Sequence, residues 1–96
     1  MNRKNIIEII RSKQKMLEKS GVKKIGLFGS YSKSAERRGS DVDILIEVDS
    51  DLSLSELVGI KGMIEGYLKR KVDLVEYGCI HPLIRKQVLD EEVRII

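Results

Sequence analysis

The clearest pattern along the chain is an alternation of apolar and charged residues over positions 41–49. Aliphatic residues stand at every second position there, and the series begins with Asp41 and Asp43. A period of two over this length predicts a β-strand with one face turned to a core. Apolar runs at 22–30 and 71–78 predict two more strands, and the first of them ends in a turn.

Apolar residues spaced three and four apart predict helices before and between these strands. One helix is expected over residues 2–20, because its apolar positions share a face and Gly21 is a natural stop. Ser53 and Glu56, three residues apart, form a capping box that begins a second helix. The broad apolar face that follows extends this helix to about residue 69.

The last segment of the chain predicts a third helix and an edge strand. Pro82 suits the first turn of a helix that runs to about Leu89. His81, the only histidine, is interpreted as a residue of that helix start rather than as a metal ligand. The sequence VRII at 93–96 is expected to add a short edge strand.

This order of elements predicts one α/β domain over residues 1–96, with helices packed against a small mixed sheet. No repeat, linker or low-complexity segment interrupts the order. A helix connects the second and third strands, so their connection is a crossover and the two strands should be parallel.

Asp41 and Asp43 put two negative charges at the start of the strongest predicted strand. Side chains two positions apart on a strand share a face, so their Cα atoms should be roughly 6–7 Å apart. Like charges this close repel each other unless a cation or a proton lies between them. Mg²⁺ takes oxygen ligands and is commonly held by one or two carboxylates together with substrate phosphates. The pair alone is weak evidence, because two solvent-facing residues at a strand end give the same pattern.

A third carboxylate would complete such a site, and two positions compete for the role. Glu47 shares the face of Asp43 but lies roughly 13 Å further along the strand, which is too far for one metal cluster. Asp73 stands near the start of the third strand between apolar neighbours, where an unpaired charge would be costly. The crossover can bring that strand beside the second, so Asp73 is the preferred candidate.

Gly29 and Ser30 end the first predicted strand and favour a phosphate-binding turn. Glycine permits tight geometry and the close approach of a ligand. Ser30 is expected to begin a short helix whose N–H groups would bind phosphate, and Lys33 adds a positive charge one turn on. A P-loop is rejected, because Leu27 and Ser32 stand where its pattern needs glycine. A plain strand-to-helix turn with a serine cap is the alternative.

The composition narrows the choice of partner and compartment. Eighteen basic and fifteen acidic residues give a net charge of +3, which suits a phosphate-bearing ligand without requiring nucleic acid. Three tyrosines and one phenylalanine are few for a protein that binds single strands by base stacking. One cysteine and the lack of an apolar stretch of membrane-spanning length predict a cytoplasmic protein without a membrane segment.

The combination of an apolar strand, a Gly-Ser turn, a D-x-D pair and a later carboxylate resembles the minimal nucleotidyltransferases (MNT proteins) of the DNA polymerase beta-like superfamily. The matching segments are GLFGSYSKS, SDVDILIEV and VDLVE, and the likeness is close over residues 20–76. The resemblance implies a nucleotidyltransferase fold, ATP with Mg²⁺, and the transfer of a nucleoside monophosphate to a hydroxyl.

The resemblance also implies roles and a partner. It assigns the metals to Asp41, Asp43 and Asp73, with Asp73 also a candidate base, and the nucleotide to Gly29, Ser30 and Lys33. Such proteins often pair in bacteria and archaea with a HEPN-domain ribonuclease toxin, and act as its antitoxin by attaching AMP to a toxin tyrosine. The small size of the chain agrees with such a partner, because a second macromolecule would have to complete the acceptor side of the site.

The chain departs from the family within the turn, where G-S-x-A-R-G is frequent. Ser32, Lys33 and Ser34 stand at the last three positions, so the bidentate contact of an arginine with phosphate is lost. Three functions are therefore weighed: an antitoxin that modifies its partner, an antitoxin that neutralises its partner by binding alone, and a small nucleic-acid-binding module. The modest charge and few aromatic residues make the third the least favoured.

Overall fold

The computed structural model describes residues 2–29 and 41–96, which are built around a four-stranded mixed sheet. The strands in chain order are β1 (Val22–Phe28), β2 (Val42–Val48), β3 (Val72–Glu76) and β4 (Val93–Arg94). Their order across the sheet is β3-β2-β1-β4. Strands β2 and β3 are parallel, whereas β1 is antiparallel to both of its neighbours. The predicted α/β fold with a mixed sheet is confirmed, and so is the parallel crossover.

The helices lie where the periodicity predicts them, with one interruption. They are α1 (Arg3–Ser12), α2 (Gln14–Lys19), α3 (Leu54–Leu68) and α4 (Pro82–Glu91). The single helix expected over 2–20 is wrong, because the helix is divided at Lys13. The Ser12 hydroxyl donates to the Ile9 carbonyl at 2.6 Å, and the Lys13 N–H bonds only three residues back, to Ile10. A serine that bonds the backbone of its own helix competes with regular helical geometry.

The helix starts carry the caps that the sequence predicts. The Glu56 N–H donates to Ser53 Oγ at 3.1 Å, and the Ser53 N–H donates to the Glu56 carboxylate at 3.2 Å, which completes the capping box of α3. His81 Nδ1 accepts the Leu83 N–H at 3.2 Å, so His81 caps α4 as expected. Helix α4 runs two residues further than predicted, to Glu91.

The ends of two strands differ from the prediction. Strand β3 stops at Glu76 rather than at residue 78, and the chain enters a 3₁₀ turn at Tyr77–Cys79. The expected edge strand near the C-terminus is β4, only two residues long. Backbone bonding continues beyond β4, because the N–H groups of Ile95 and Ile96 donate to the Ile25 carbonyl at 2.8 and 3.1 Å.

One face of the sheet forms a closed apolar core beneath α1, α2 and α3. Fully buried members from the helices and strands are Ile6, Ile10, Leu17, Ile64, Ile25, Leu27, Ile44 and Ile46. The strand members alternate with residues of the opposite face, and this is the period of two that the sequence shows. Among the described helices, none is long and apolar enough to cross a membrane.

Candidate active site

The opposite face of the sheet carries the predicted carboxylates at one edge. Asp43 on β2 is paired with Asp73 on β3 in the parallel register, and with Phe28 on β1 across the antiparallel pair. Asp41 stands two residues before Asp43, just outside β2. Asp41 and Asp73 are exposed, whereas Asp43 is half-buried between them. The structure thus brings Asp73 beside Asp43, as the crossover predicts.

The start of β3 is held by a side chain that the sequence analysis missed. The Val72 N–H donates to the Glu65 carboxylate of α3 at 3.0 Å, and the Val42 N–H donates to the Lys71 carbonyl at 2.9 Å. Glu65 therefore positions the residue that precedes Asp73. A signal for this role exists in the sequence, because Glu65 lies in the last turn of α3, where the helix dipole disfavours an acid.

Asp43 is the carboxylate on which the charges of both others act. Burial raises the pKa of Asp43 above its ordinary value, and the negative charges of Asp73 and then Asp41 raise it further. A carboxylate in this position gains from any cation that binds next to it. Asp43 and the two carboxylates whose charges act on it offer the kind of oxygen donors that Mg²⁺ takes together with substrate phosphates.

Gly29 lies directly against Asp43. Its φ of +72° is in the left-handed region that favours glycine. A Cβ at position 29 would lie 3.0 Å from Asp43 Cγ and closer still to one carboxylate oxygen. The glycine predicted to permit close approach of a ligand is thus also required by the Asp43 side chain. Gly29 and the Asp43 carboxylate therefore lie on one continuous surface.

Not every predicted residue is joined to this surface. Within residues 2–29 and 41–96, no three acidic, histidine or cysteine side chains are grouped closely enough to hold a metal ion by themselves. Glu47, set aside on distance, forms an ion pair with Lys24 at 3.9 Å. Ser30 and Lys33, assigned to the nucleotide, lie outside the described residues, as does the short helix expected after Gly29.

A second polar contact on this face was not predicted. The Tyr77 hydroxyl donates to the Glu92 carboxylate, and the two residues stand immediately before and after the segment that contains α4. A Cβ at Gly26 would lie 2.7 Å from the Tyr77 hydroxyl oxygen, so glycine leaves room for this contact. Burial and then the hydrogen bond to Glu92 raise the pKa of Tyr77, which keeps the phenol a donor. The pair joins the two ends of the α4 segment and lies against Gly26 of β1.

A family model described as a nucleotidyltransferase domain matches residues 4–95. Two relatives named for protein adenylylation are similar over most of their length. A Methanocaldococcus jannaschii protein, MJ0435, described as a candidate protein adenylyltransferase, is 40% identical over 92 residues, which are 96% of this chain and 99% of the relative. The protein adenylyltransferase MntA of Thermococcus cleftensis is 36% identical over 83 residues, 86% of this chain and 84% of the relative.

Solved structures share the fold. A candidate minimal nucleotidyltransferase is similar with a TM-score of 0.83 at 26% identity, over 97% of this chain and 95% of the other. A toxin–antitoxin complex with AMP-PNP contains a chain that is similar with a TM-score of 0.69 at 25% identity, over 100% of this chain and 73% of the other. A Shewanella oneidensis complex of a tri-AMPylated HEPN toxin with its MNT antitoxin contains the same fold, with a TM-score of 0.65 at 22% identity, over 94% of this chain and 71% of the other.

The family match covers nearly the whole chain, and the relatives exceed one third identity over most of their own length. The resemblance drawn from the Gly-Ser turn and the carboxylates is therefore confirmed, and so is the prediction of an enzyme family. The chain belongs to the nucleotidyltransferase domain family, among its minimal nucleotidyltransferases.

Proposed function

We propose that this chain is the antitoxin of a toxin–antitoxin pair and transfers AMP from MgATP to a tyrosine hydroxyl of a HEPN-domain toxin. The observation that carries the proposal is the register that sets Asp73 beside Asp43, with Gly29 in contact with the same carboxylate. Phosphoryl and nucleotidyl transfer require charge neutralisation and positioning more than covalent help from the protein, and the carboxylates would supply both by holding Mg²⁺.

The relatives support the donor and the partner. Two are named for protein adenylylation, and one structural relative is a toxin–antitoxin complex with AMP-PNP, an ATP analogue. In the Shewanella complex, which shares the fold, the toxin carries the AMP groups and the antitoxin is an MNT protein.

The chemistry assigned to the carboxylates is as follows. Asp41, Asp43 and Asp73 would hold Mg²⁺, which when bound neutralises phosphate charge and orients the donor. The acceptor oxygen forms a bond to the α-phosphorus of ATP, and the bond from that phosphorus to the bridging oxygen breaks, so pyrophosphate leaves. Asp73 accepts the proton of the acceptor hydroxyl, the role of a general base. Burial and the neighbouring negative charges raise the pKa of Asp43, so a bound cation would favour its ionised form.

Gly29, Ser30 and Lys33 are proposed to hold the triphosphate. Ser30→Ala and Lys33→Ala should each weaken MgATP binding measured by calorimetry, and Lys33→Arg should restore or improve it, because a bidentate fork suits phosphate oxygens. Equal ATP affinity in all three variants would make the turn a plain connection between two elements.

The test is transfer of label. The protein is incubated with ATP labelled in the α-phosphate, Mg²⁺ and its HEPN partner, and the labelled residue is located by mass spectrometry. Label on a partner tyrosine, lost on removal of Mg²⁺, is the expected result. Label on no protein would favour the second candidate, an antitoxin that acts by binding alone. One observation favours that candidate: no ready three-residue metal group exists in the described part of the chain.

A further inference from the structure

An apolar cavity of about 200 Å³ lies between α4 and the carboxylate face of the sheet. Its apolar lining consists of Phe28, Leu45, Val75, Ile80, Ile84 and Val88. An apolar cavity of about 150 Å³ is large enough to bind benzene, so this one has room for an aromatic ring. Ile84 of α4 lines the cavity and is 50% exposed, so the cavity opens to solvent beside this helix.

The cavity continues the surface that carries the carboxylates. Leu45 and Val75 follow Asp43 and Asp73 by two positions and are paired with each other in the register. Residues two apart on a strand share a face and lie roughly 6–7 Å apart. The carboxylates and the apolar cavity therefore lie next to each other on the same side of β2 and β3.

Phe28 lies at the end of β1, next to both the carboxylates and the cavity. It is the only phenylalanine of the chain, it lines the cavity, and it immediately precedes Gly29. A ligand that extends from the Gly29 turn along this face passes from a charged environment to an aromatic one. A nucleotide has this same division, with charged phosphates at one end and an apolar ring at the other.

We propose that the cavity receives the nucleobase of the donor nucleotide, with Phe28 as its stacking partner. The inference rests on the proposed function, which supplies the nucleotide. The base is tied through its ribose to the phosphorus that reacts, so it is present near the cavity at high effective concentration once the phosphates are bound. A tyrosine ring of the partner has no such tether.

Among the described residues, Cys79 and His81 are the cavity-lining side chains with polar atoms that could recognise the edge of a base. His81 Nδ1 already accepts the Leu83 N–H, and the Cys79 thiol lies 3.7 Å from the Glu76 carboxylate. Recognition should therefore depend on ring size and stacking rather than on hydrogen bonds to the base edge. Purine nucleotides should bind more tightly than pyrimidine nucleotides.

The experiment compares MgATP with magnesium tripolyphosphate, which presents the phosphates without a base. Val88→Phe fills the cavity from α4, and Leu83→Phe adds the same ring to the same helix at a residue that is 88% exposed and does not line the cavity. Wild type and the Leu83→Phe control should bind MgATP ~10-fold or more tightly than tripolyphosphate, the scale of one stacked base. Val88→Phe should lose this preference and bind tripolyphosphate as wild type does.

A second variant tests the cavity without altering α4, because the larger ring of Val88→Phe can also displace that helix. Phe28→Leu keeps an apolar side chain but removes the stacking ring, and it should also reduce the preference for MgATP. A wild-type protein that binds both ligands equally, or variants that keep the full preference, would overturn the inference alone. Variants with normal MgATP affinity but slow modification of the partner would overturn it in favour of an acceptor ring. A wild type that binds neither ligand would overturn the proposed function as well.

Discussion

The two faces of the sheet differ in polarity, although the same strands form both. The face beneath α1, α2 and α3 is dry and aliphatic, and residues such as Ile44 and Ile46 are fully buried there. The other face carries Asp43 and Asp73 in register, a cavity, and a helix of which no residue is buried. Along β2 the side chains point alternately to the two faces, and Leu45, on the carboxylate face, is itself fully buried.

The contrast shows how a small domain can carry a repulsive site. Hydrophobic burial on one face is worth about 25 cal/mol per Å² of apolar surface removed from water, and it is concentrated where no polar group interrupts it. The carboxylate face can then carry like charges that raise the pKa of Asp43, because that face contributes less to holding the chain together. Five experiments would break or sharpen this division.

Asp41→Asn together with Asp43→Asn should have the largest effect, because it removes two of the three carboxylates proposed to hold Mg²⁺. Mg²⁺-dependent transfer to the partner should fall below detection, while circular dichroism and melting show an intact fold. Glu47→Gln is the matched control, since it neutralises a carboxylate on the same strand and face that pairs with Lys24 instead. Transfer retained by the double variant would refute the assignment of the site.

Ile64→Ala should break the other face. Ile64 is fully buried on α3, so its truncation should cost about 2–5 kcal/mol of unfolding free energy. Val88→Ala, on the exposed helix α4, should cost much less. Urea unfolding measures both, and a loss from Val88→Ala as large as that from Ile64→Ala would mean that stability is shared equally by the two faces.

Asp73→Asn should separate binding from chemistry on the carboxylate face. Transfer should fall ~10²-fold or more, the scale of lost general-base assistance. MgATP affinity should be largely retained, because Asp41, Asp43 and the Gly29 turn are unchanged. Single-turnover transfer and calorimetry measure the two quantities. A wild-type rate would make Asp73 a structural charge, and lost ATP binding would make it chiefly a metal ligand.

Substitution by alanine should change the stability of the fold in opposite directions at two glycines. Gly29→Ala should destabilise the fold, because the position has a positive φ and a Cβ there would collide with Asp43. Gly62→Ala should stabilise it by roughly 0.5–1 kcal/mol, because Gly62 lies within α3 with no atom near its missing Cβ. Thermal melts of both variants check the signs, and a stabilising Gly29→Ala would refute the contact with Asp43.

The smallest expected effect is the pH dependence of Asp43→Asn without metal. The folded pKa of Asp43 is raised, so the folded state binds its proton more readily than the unfolded state, and wild-type stability falls as pH rises through that pKa. Asp43→Asn should therefore melt above wild type at neutral pH in EDTA. The difference should vanish as pH falls below the ordinary aspartate range. A constant difference at every pH would exclude the electrostatic cause.

The sequence predicts the alternating face well, because burial and charge follow the period of the strand. Ser53 with Glu56 and His81 with Pro82 also mark helix starts correctly, because caps are local interactions. The division of the first helix at Lys13 was not predicted, since the competing bond of Ser12 is one of several states a serine can adopt. Asp73 was placed beside Asp43 only through the crossover, an argument from topology rather than from spacing.

What the sequence could not predict depends on contacts between distant segments. The bond from Val72 to Glu65, the contact of Tyr77 with Glu92 over Gly26, and the cavity beneath α4 each join elements whose relative position is set by the whole fold. No local pattern encodes such contacts. Of these residues, Glu65 alone is marked by a sequence signal, because the helix dipole disfavours an acid in the last turn of a helix.

The parallel register of β2 and β3 makes the site dependent on the length of one short connection. Residues 69–71 join α3 to β3, with Lys69 in the left-handed conformation and the Lys71 carbonyl bonded to the Val42 N–H. A strand that slips by one position turns every side chain to the other face. One inserted or deleted residue here would point Asp73 into the aliphatic core and set a valine or leucine beside Asp43. Natural variation in the length of this connection should therefore be rare, and any lengthened homologue should carry a compensating bulge in β3.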